Sequence, residues 1–170
     1  PEEHIGYNAN GDNGWNDNAL HVFKRYETIY VGLDTDPAGK NSTAPWVESL
    51  TRLGIAATRI RLITWPAYDA NDWLKAKATG QDLQRLLQGA PTWLDELARQ
   101  AADKKLSEAE RDRFIRQVFA ALATLEPMQI ARRRLSLARQ LGLGVETFDA
   151  MLRAARRETS AYEHGQLTYE

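Results

Sequence analysis

The sequence has 170 residues, a length that suits one sizeable domain or a domain with a small appendage. Hydrophobic residues make up 43% and charged residues 26%, values that exclude a disordered chain, a collagen-like fibre and a coiled-coil rod. The 22 basic and 23 acidic residues give a net charge of −1, so overall charge predicts no attraction to nucleic acid.

Cysteine and long apolar segments are both missing from the sequence. Without cysteine the chain has no disulfide, thiol nucleophile or zinc ribbon, which fits the reducing cytoplasm. No window approaches the roughly 20 consecutive apolar residues of a membrane helix, and the N-terminus does not resemble a signal peptide. These features predict a soluble, cytoplasmic protein without a membrane partner. Because the sequence begins at Pro1 and ends in a polar run, we interpret it as a fragment of a longer protein.

The first elements predicted along the chain form a βαβ unit. Residues 28–33 are an uncharged, β-branched and aromatic run that is typical of a buried strand, and residues 58–64 predict a second strand. Between them, an apolar stripe that runs from Trp46 to Leu53 predicts a helix ended by Gly54. A strand, a helix and a strand joined by short links predict two parallel strands and an α/β fold.

From about residue 70 the sequence has only helical patterns. Three short helices are predicted, over residues 72–77, 81–87 and 91–101. Three longer helices follow on short loops and predict a small bundle. The chain is thereby divided into an α/β domain, a helical subdomain and a polar tail, over residues 1–90, 91–158 and 159–170.

The three longer helices have recognisable starts. Ser107 and Glu110 match a capping box at the first, Pro127 opens the second, and Gly142 and Gly144 separate the second from the third. Their inward faces are predicted to consist of Phe114, Ile115, Val118, Phe119 and Leu122, then Ala131, Leu135 and Ala138, and finally Phe148, Met151, Leu152 and Ala155.

Two aspartates follow the first predicted strand. Asp34 and Asp36 are two residues apart, so on an extended segment both carboxylates point the same way. Magnesium is bound by one or two carboxylates together with water and phosphate oxygens, and ligands of open α/β sheets bind beyond the carboxyl ends of the strands. The pair therefore suits a magnesium site. The alternative is a turn in which the aspartates only accept bonds from backbone amides.

A second polar cluster follows the second predicted strand. It contains Asp69, Asn71 and Asp72, and parallel strands bring it to the same edge of the sheet as Asp34 and Asp36. These residues are candidates to share the metal. The alternative is that an aspartate here caps the helix that begins near Trp73.

The order of these motifs resembles the TOPRIM domain of bacterial and phage primases. The resemblance depends on Ile-Tyr-Val-Gly-Leu-Asp34-Thr-Asp36-Pro-Ala-Gly39-Lys40, an amphipathic helix, a second strand and Asp69-Ala-Asn71-Asp72-Trp-Leu. The helical region that follows is similar to the helical subdomain of DnaG-type primases. The resemblance implies a truncated TOPRIM-like parallel sheet with flanking helices, followed by a small C-terminal helical bundle.

The resemblance also implies a function and a set of site residues. In the TOPRIM family the aspartate pair binds a divalent metal for nucleotidyl transfer, and the later acidic motif joins the metal shell. Carried over, Asp34 and Asp36 are catalytic, and Asp69, Asn71 and Asp72 join them around Mg²⁺ or Mn²⁺. Apart from the resemblance, Lys40, just past the aspartate pair, is a candidate contact for a nucleoside triphosphate; the alternative is a lysine that is simply exposed. The expected activity is that of a DNA primase, a DNA-directed RNA polymerase that makes RNA primers on single-stranded DNA during DNA replication, with a replicative helicase as a possible partner.

One family feature is absent. The family has a glutamate followed by glycine at the end of an earlier strand, and no carboxylate ahead of Asp34 fits that pattern; the carboxylates there are Glu2, Glu3, Asp12, Asp17 and Glu27. We therefore expect this fragment alone to be inactive in primer synthesis. Two alternatives stay open: a non-catalytic TOPRIM scaffold that binds DNA or a helicase, and a strand-cleaving enzyme of the nuclease or topoisomerase type.

A basic segment lies in the helical subdomain. Residues 132–157 contain seven arginines and two acidic residues, which gives a local charge of +5. Such a segment suits contact with a phosphate backbone. A solvated helix face explains it equally well.

Overall fold

The structure is a computed structural model that describes residues 21–166. The chain divides into two compact units between Trp93 and Leu94. The first has a mixed α/β structure and the second is helical. In the described part of the chain, no helix combines the length and the apolar character needed to cross a membrane. Residues 1–20, which contain the first four upstream carboxylates considered above, lie outside the description.

The first unit contains the predicted βαβ arrangement. Strand β1 (Ile29–Val31) and strand β2 (Ile60–Leu62) are joined by helix α1 (Pro37–Arg52). They pair in parallel with Ile29 opposite Ile60, which confirms the predicted direction. Both strands are shorter than the sequence predicted, and α1 begins earlier, at Pro37 in its first turn. Just beyond α1, Gly54 has a φ of +85°, a left-handed conformation that favours glycine.

Apolar residues of α1 and the strands form the core of the first unit. Val47 and Leu50 of α1 are fully buried, as is Ile60 of β2. Burial of side chains of this size is the main source of stability, at about 1.5–3 kcal/mol each. The buried residues that complete this core are Val31, Ile55, Ala57, Ala90 and Trp93.

The far edge of β2 is covered by the segment before the second unit. The amide of Leu62 donates to the carbonyl of Pro91 at 2.9 Å, and Arg61 Nη1 donates to the carbonyl of Ala90 at 2.6 Å. Helix α2 (Ala70–Lys75) and helix α3 (Gly80–Gly89) lie between β2 and this segment in sequence. The β2 edge is thus closed by the chain itself.

Four helices carry the chain through the second unit. They are α4 (Trp93–Ala101, whose first residue still belongs to the first unit), α5 (Glu108–Ala123), α6 (Pro127–Gln140) and α7 (Val145–Gln166). The predicted capping box is confirmed, because Ser107 and Glu110 bond each other's backbone amides at the start of α5. Helix α7 continues through residues 159–166, which the sequence assigned to a polar tail.

Three helices of the second unit meet in an apolar core. Phe119 of α5 and Phe148 of α7 are buried with their ring centroids 5.0 Å apart. Arginines add bonds between segments: Arg111 donates to the carbonyls of Ala101 and Leu141, at 3.1 and 2.8 Å, and Arg156 donates to that of Leu125 at 3.0 Å.

The predicted inward face of α6 is wrong. Leu135 is 62% exposed and Ala131 is also exposed, whereas Ile130 and Leu137 are buried with Ala138 as predicted. Leu135 and Leu137 lie about 200° apart around the helix, so only one of them can face the core. Elsewhere, Phe114, Met151 and Ala155 are half-buried rather than fully inward.

Candidate functional site at the carboxyl ends of the strands

The loops that follow β1 and β2 are bonded to each other through Thr35. The Thr35 amide donates to the carbonyl of Tyr68 at 2.8 Å. The Thr35 hydroxyl lies 2.9 Å from the same carbonyl and 3.1 Å from that of Ala67. Because Thr35 stands between the two aspartates, these bonds fix the first acidic motif beside the second. We call residues 34–36 and 67–72 the acidic edge.

A tryptophan makes a second bond between the same loops. Trp65 Nε1 donates to the carbonyl of Gly32 at 3.1 Å, and its ring lies 5.9 Å from that of Trp73 in α2. A Cβ placed on Gly32 would lie 3.0 Å from Ile63 and 3.1 Å from Trp65. The small residue after β1 therefore allows the second loop to approach.

Asp36 is the most extensively bonded carboxylate of the acidic edge. It caps α1, with Oδ1 accepting from the Gly39 amide at 2.7 Å, and Oδ2 accepts from the Tyr68 hydroxyl at 3.0 Å. The bond from Gly39 is the main reason that the pKa of Asp36 is lowered, followed by the bond from Tyr68, with a smaller contribution from the positive charge of Lys40. Asp36 is thus held as a carboxylate at the start of α1.

Tyr68 is the shared neighbour of the three aspartates. The bond to Asp36 is the largest cause of its raised pKa, and the charges of Asp34 and Asp69 raise the pKa further. Its side chain is 51% exposed. The acidic edge therefore presents a neutral hydroxyl among three negative charges.

The Asp34 carboxylate takes no part in these bonds. Asp34 is exposed, and among residues 21–166 its carboxylate accepts no hydrogen bond. Its backbone is tightly placed, because a Cβ on Gly39 would lie only 2.1 Å from the Asp34 carbonyl oxygen. Lys40 is exposed on the first turn of α1, where its amide donates to the Asp36 carbonyl at 3.0 Å.

The second acidic motif begins α2. Asp69 caps this helix, with Oδ1 accepting from the Asp72 amide at 2.7 Å. Asp72 is exposed and pairs with Lys75 at 3.4 Å, and Asn71 is exposed beside it. The capping roles weighed as alternatives are therefore present for both Asp36 and Asp69.

The acidic edge offers oxygen ligands without forming a dense cluster. Over residues 21–166, no three or more histidine or acidic side chains are grouped so that they could hold a metal ion. The Asp34 carboxylate and the second oxygen of Asp69 accept no hydrogen bond in the described part of the chain. Hard oxygen donors of this kind fit magnesium, which needs only one or two carboxylates when phosphate and water supply the rest.

Sequence reasoning missed Thr35 and Tyr68. Their bonds join positions 33 residues apart, and no local pattern indicates such a pairing. A signal was present in their places in the sequence, since Thr35 separates Asp34 from Asp36 and Tyr68 precedes Asp69.

The arginines of residues 132–157 are divided between internal bonds and solvent. Arg134 forms a bidentate salt bridge with Asp149, in which Nε lies 2.7 Å from Oδ1. Arg156 donates a hydrogen bond to the backbone carbonyl of Leu125. Arg133 is half-buried. The exposed members are Arg132, Arg139, Arg153 and Arg157. Part of the local positive charge is therefore used within the bundle.

Comparison with known proteins assigns the chain to no group. No protein-family model matches the chain, and no curated protein matches it. A function must therefore be argued from the acidic edge and the bundle themselves.

Proposed function

We propose that the chain is the TOPRIM-like part of a DNA primase catalytic core, together with its helical subdomain. The observation that carries the proposal is the joining of two acidic motifs by Thr35 and Tyr68 beyond the carboxyl ends of two parallel strands. This edge is where open α/β sheets bind ligands. The order of the motifs along the chain is the order of the TOPRIM domain that the sequence resembles.

The proposed metal ligands are Asp34 and Asp69, with Asp36 beside them. Asp34 and Asp69 each have a carboxylate oxygen that accepts no bond within the described residues, and Asp36 is held by Gly39 and Tyr68. A divalent ion bound here would neutralise charge on a phosphoryl group during nucleotidyl transfer. Asn71 and Asp72 stand at the start of α2 as outer contributors to the same site.

Lys40 and Tyr68 are the proposed contacts to substrate. Lys40 is exposed one turn from Asp36, where an ammonium group can bind the phosphates of a nucleoside triphosphate. Tyr68 holds the Asp36 carboxylate in a fixed orientation and presents a neutral hydroxyl next to it. The template for the reaction would be single-stranded DNA, with the base sequence read by pairing to the nucleotide.

The experiment is a titration of manganese, followed by electron paramagnetic resonance, into the chain and two matched variants. Asp34→Asn removes an exposed carboxylate of the acidic edge, and Asp112→Asn removes an exposed carboxylate of α5. We expect weak binding that Asp34→Asn reduces at least severalfold and Asp112→Asn leaves unchanged. Equal binding by all three proteins would contradict a metal site at the acidic edge.

Primer synthesis tests the remainder of the proposal. With single-stranded DNA and nucleoside triphosphates, we expect this chain alone to bind metal but to make no primer, because the glutamate of the family is absent. Metal-dependent synthesis by a longer form carrying the upstream region, abolished by Asp34→Asn, would support the assignment. The absence of synthesis by that longer form would contradict it.

A non-catalytic scaffold is the second candidate. Capping by Asp36 and Asp69 favours a scaffold, because each carboxylate already accepts a hydrogen bond from an amide in the first turn of the helix that it caps. A scaffold that binds DNA or a helicase predicts single-stranded DNA binding that does not change when metal is removed. Dependence of that binding on Mg²⁺ and on Asp34 would exclude this candidate.

A further inference from the structure

The outward face of α6 combines apolar and basic side chains. Met128 and Leu135 are 66% and 62% exposed, and they are the large hydrophobic residues that the described part of the second unit leaves exposed. They are seven positions apart, so they lie on one side of the helix about 10.5 Å apart along its axis. This side is opposite the one that buries Ile130 and Leu137. We call Met128, Arg132, Leu135 and Arg139 the α6 stripe.

The charge of the α6 stripe is unbalanced. Arg132 follows Met128 by four positions and Arg139 follows Leu135 by four, so each apolar side chain has an arginine next to it on the same face. Both arginines are exposed, and their side chains make no hydrogen bond or ion pair to any described residue. Residues 127–140 contain no acidic side chain at all. Arg134, by contrast, is neutralised by Asp149 of α7.

We propose that the α6 stripe docks an acidic amphipathic helix of a protein partner. Two apolar residues two turns apart match the leucine spacing on one face of a partner helix, and the arginines match acidic residues beside those leucines. Methionine adapts its shape to such a surface. Methionine and arginine are both enriched in protein interfaces, and arginine is among the residues on which binding energy concentrates.

The charge and the apolar side chains of the α6 stripe together select this occupant. A nucleic acid backbone would engage the arginines and gain nothing from Met128 and Leu135 beside them. A second copy of the chain would bring the same two arginines against this face, and the repulsion between like charges disfavours that pairing. A single helical segment with acidic flanks satisfies both the apolar and the basic side chains.

The test measures fluorescence anisotropy of a labelled synthetic helix made of leucine, alanine and glutamate, with leucine along one face. The same residues in scrambled order form the control peptide. Two double variants of the whole chain remove the apolar anchors (Met128→Ser with Leu135→Ser) or the charges (Arg132→Gln with Arg139→Gln). A third, Arg153→Gln with Arg157→Gln, removes two exposed arginines of α7.

We expect the amphipathic peptide to bind, the scrambled peptide to bind at least tenfold more weakly, and both α6 variants to lose about tenfold in affinity. The α7 variant should bind as the unchanged chain does. Circular dichroism of each variant verifies that the helices persist, since all four α6 residues are exposed.

Three results would overturn the proposal. The first is that the amphipathic and the scrambled peptides bind equally well, or that neither peptide binds. The second is that labelled oligothymidylate binds in place of the peptide and depends on Arg132 and Arg139 but not on Met128 and Leu135, which would make the surface a nucleic-acid site. The third is a dimer in analytical ultracentrifugation that the Met128→Ser, Leu135→Ser variant dissociates, which would make the occupant a second copy.

Discussion

The acidic edge and the helical bundle use charged side chains in different ways. At the acidic edge, Asp36 and Asp69 each accept a bond from an amide three residues ahead, and the contacts between loops are made by the hydroxyls and backbone around them. In the bundle, Arg111 and Arg156 donate to carbonyls about 30 residues away. Charged groups of the bundle join distant segments as donors, whereas each capping aspartate of the acidic edge bonds within its own turn, and Asp36 alone of the two also accepts a bond from the other loop, through the Tyr68 hydroxyl.

This difference separates the residues that support the acidic edge from those that are available to a ligand. Gly39 and Thr35 fix the backbone, while Asp34 remains exposed and accepts no hydrogen bond in the described structure. Asp34 can therefore be changed without removing the hydrogen bonds that hold the two loops together. In the bundle, the buried side chains themselves are the support.

The largest effect is expected from breaking the bundle at Phe148. Phe148→Ala removes a fully buried ring that packs on Phe119, so the free energy of unfolding should fall by about 3–5 kcal/mol. Urea denaturation followed by circular dichroism measures it. Met128→Ala, at an exposed position of the same unit, is the control and should change the value by less than about 0.5 kcal/mol. Similar losses for both variants would contradict the packing described.

A smaller loss is expected at the acidic edge from Gly39→Ala. The new Cβ would lie 2.1 Å from the Asp34 carbonyl oxygen, so the backbone must shift at a cost of about 1–3 kcal/mol. Helix propensity alone predicts the opposite sign, because alanine is favoured over glycine within α1. Gly80→Ala at the start of α3, where a Cβ meets nothing within 4 Å, is the matched control for urea denaturation. A stabilised Gly39→Ala protein would show that the approach of Gly39 to Asp34 is not tight.

Tyr68→Phe tests the bond between the loops with little effect on stability. Loss of the hydroxyl removes the second cause of the lowered pKa of Asp36, so that pKa should rise toward its ordinary value of 3.8 without reaching it, because the Gly39 bond remains. The carboxyl carbon of Asp36 followed by NMR during acid titration measures this. An unchanged pKa would mean that Tyr68 does not hold Asp36.

The pH dependence of the same bond has a definite sign. A carboxyl whose pKa is lowered on folding contributes stability above its ordinary value of 3.8, and loses that contribution as the pH falls through the lowered value. The unchanged chain should therefore be slightly more stable than Tyr68→Phe near neutral pH, and urea denaturation at a series of pH values should show this difference shrinking as the pH falls through the lowered pKa of Asp36.

The smallest effect on stability is expected from Asp34→Asn. Its carboxylate accepts no hydrogen bond within the described residues, and its removal relieves repulsion from the nearby negative charges. In metal-free buffer the melting temperature should stay the same or rise, as differential scanning calorimetry would show. A clear fall in the melting temperature would mean that Asp34 supports the fold, and it would contradict the distinction between residues that hold the loops and residues available to a ligand.

Local patterns predicted much of the fold. The parallel pairing of β1 with β2 follows from strand, helix and strand on short links, and the capping box at Ser107 follows from a four-residue pattern. Local patterns did not determine which side of α6 is buried, because Leu135 and Leu137 both fit a helical spacing of apolar residues. Burial of Leu141 and Ile130 on the side of Leu137 decides between them, and that is a property of the packed bundle.

The candidate site was predictable in its residues but not in its bonds. Asp34, Asp36 and Asp69 stand out because they follow strand-like runs, yet Thr35 and Tyr68 come together only through the pairing of β1 with β2. Local sequence patterns also do not decide whether an aspartate caps a helix or binds a metal. One carboxylate has two oxygens, so it can accept a bond from the helix with one and bind a metal with the other.

The bond from the Thr35 amide to the Tyr68 carbonyl makes a single hydrogen atom a reporter on the acidic edge. It lies outside regular helix and strand, so its exchange with deuterium should be slow only while the two loops remain docked. A ligand that bridges the loops would slow this exchange further, whereas one that binds either loop alone would not. Exchange at this one amide therefore distinguishes a shared site from two separate helix caps.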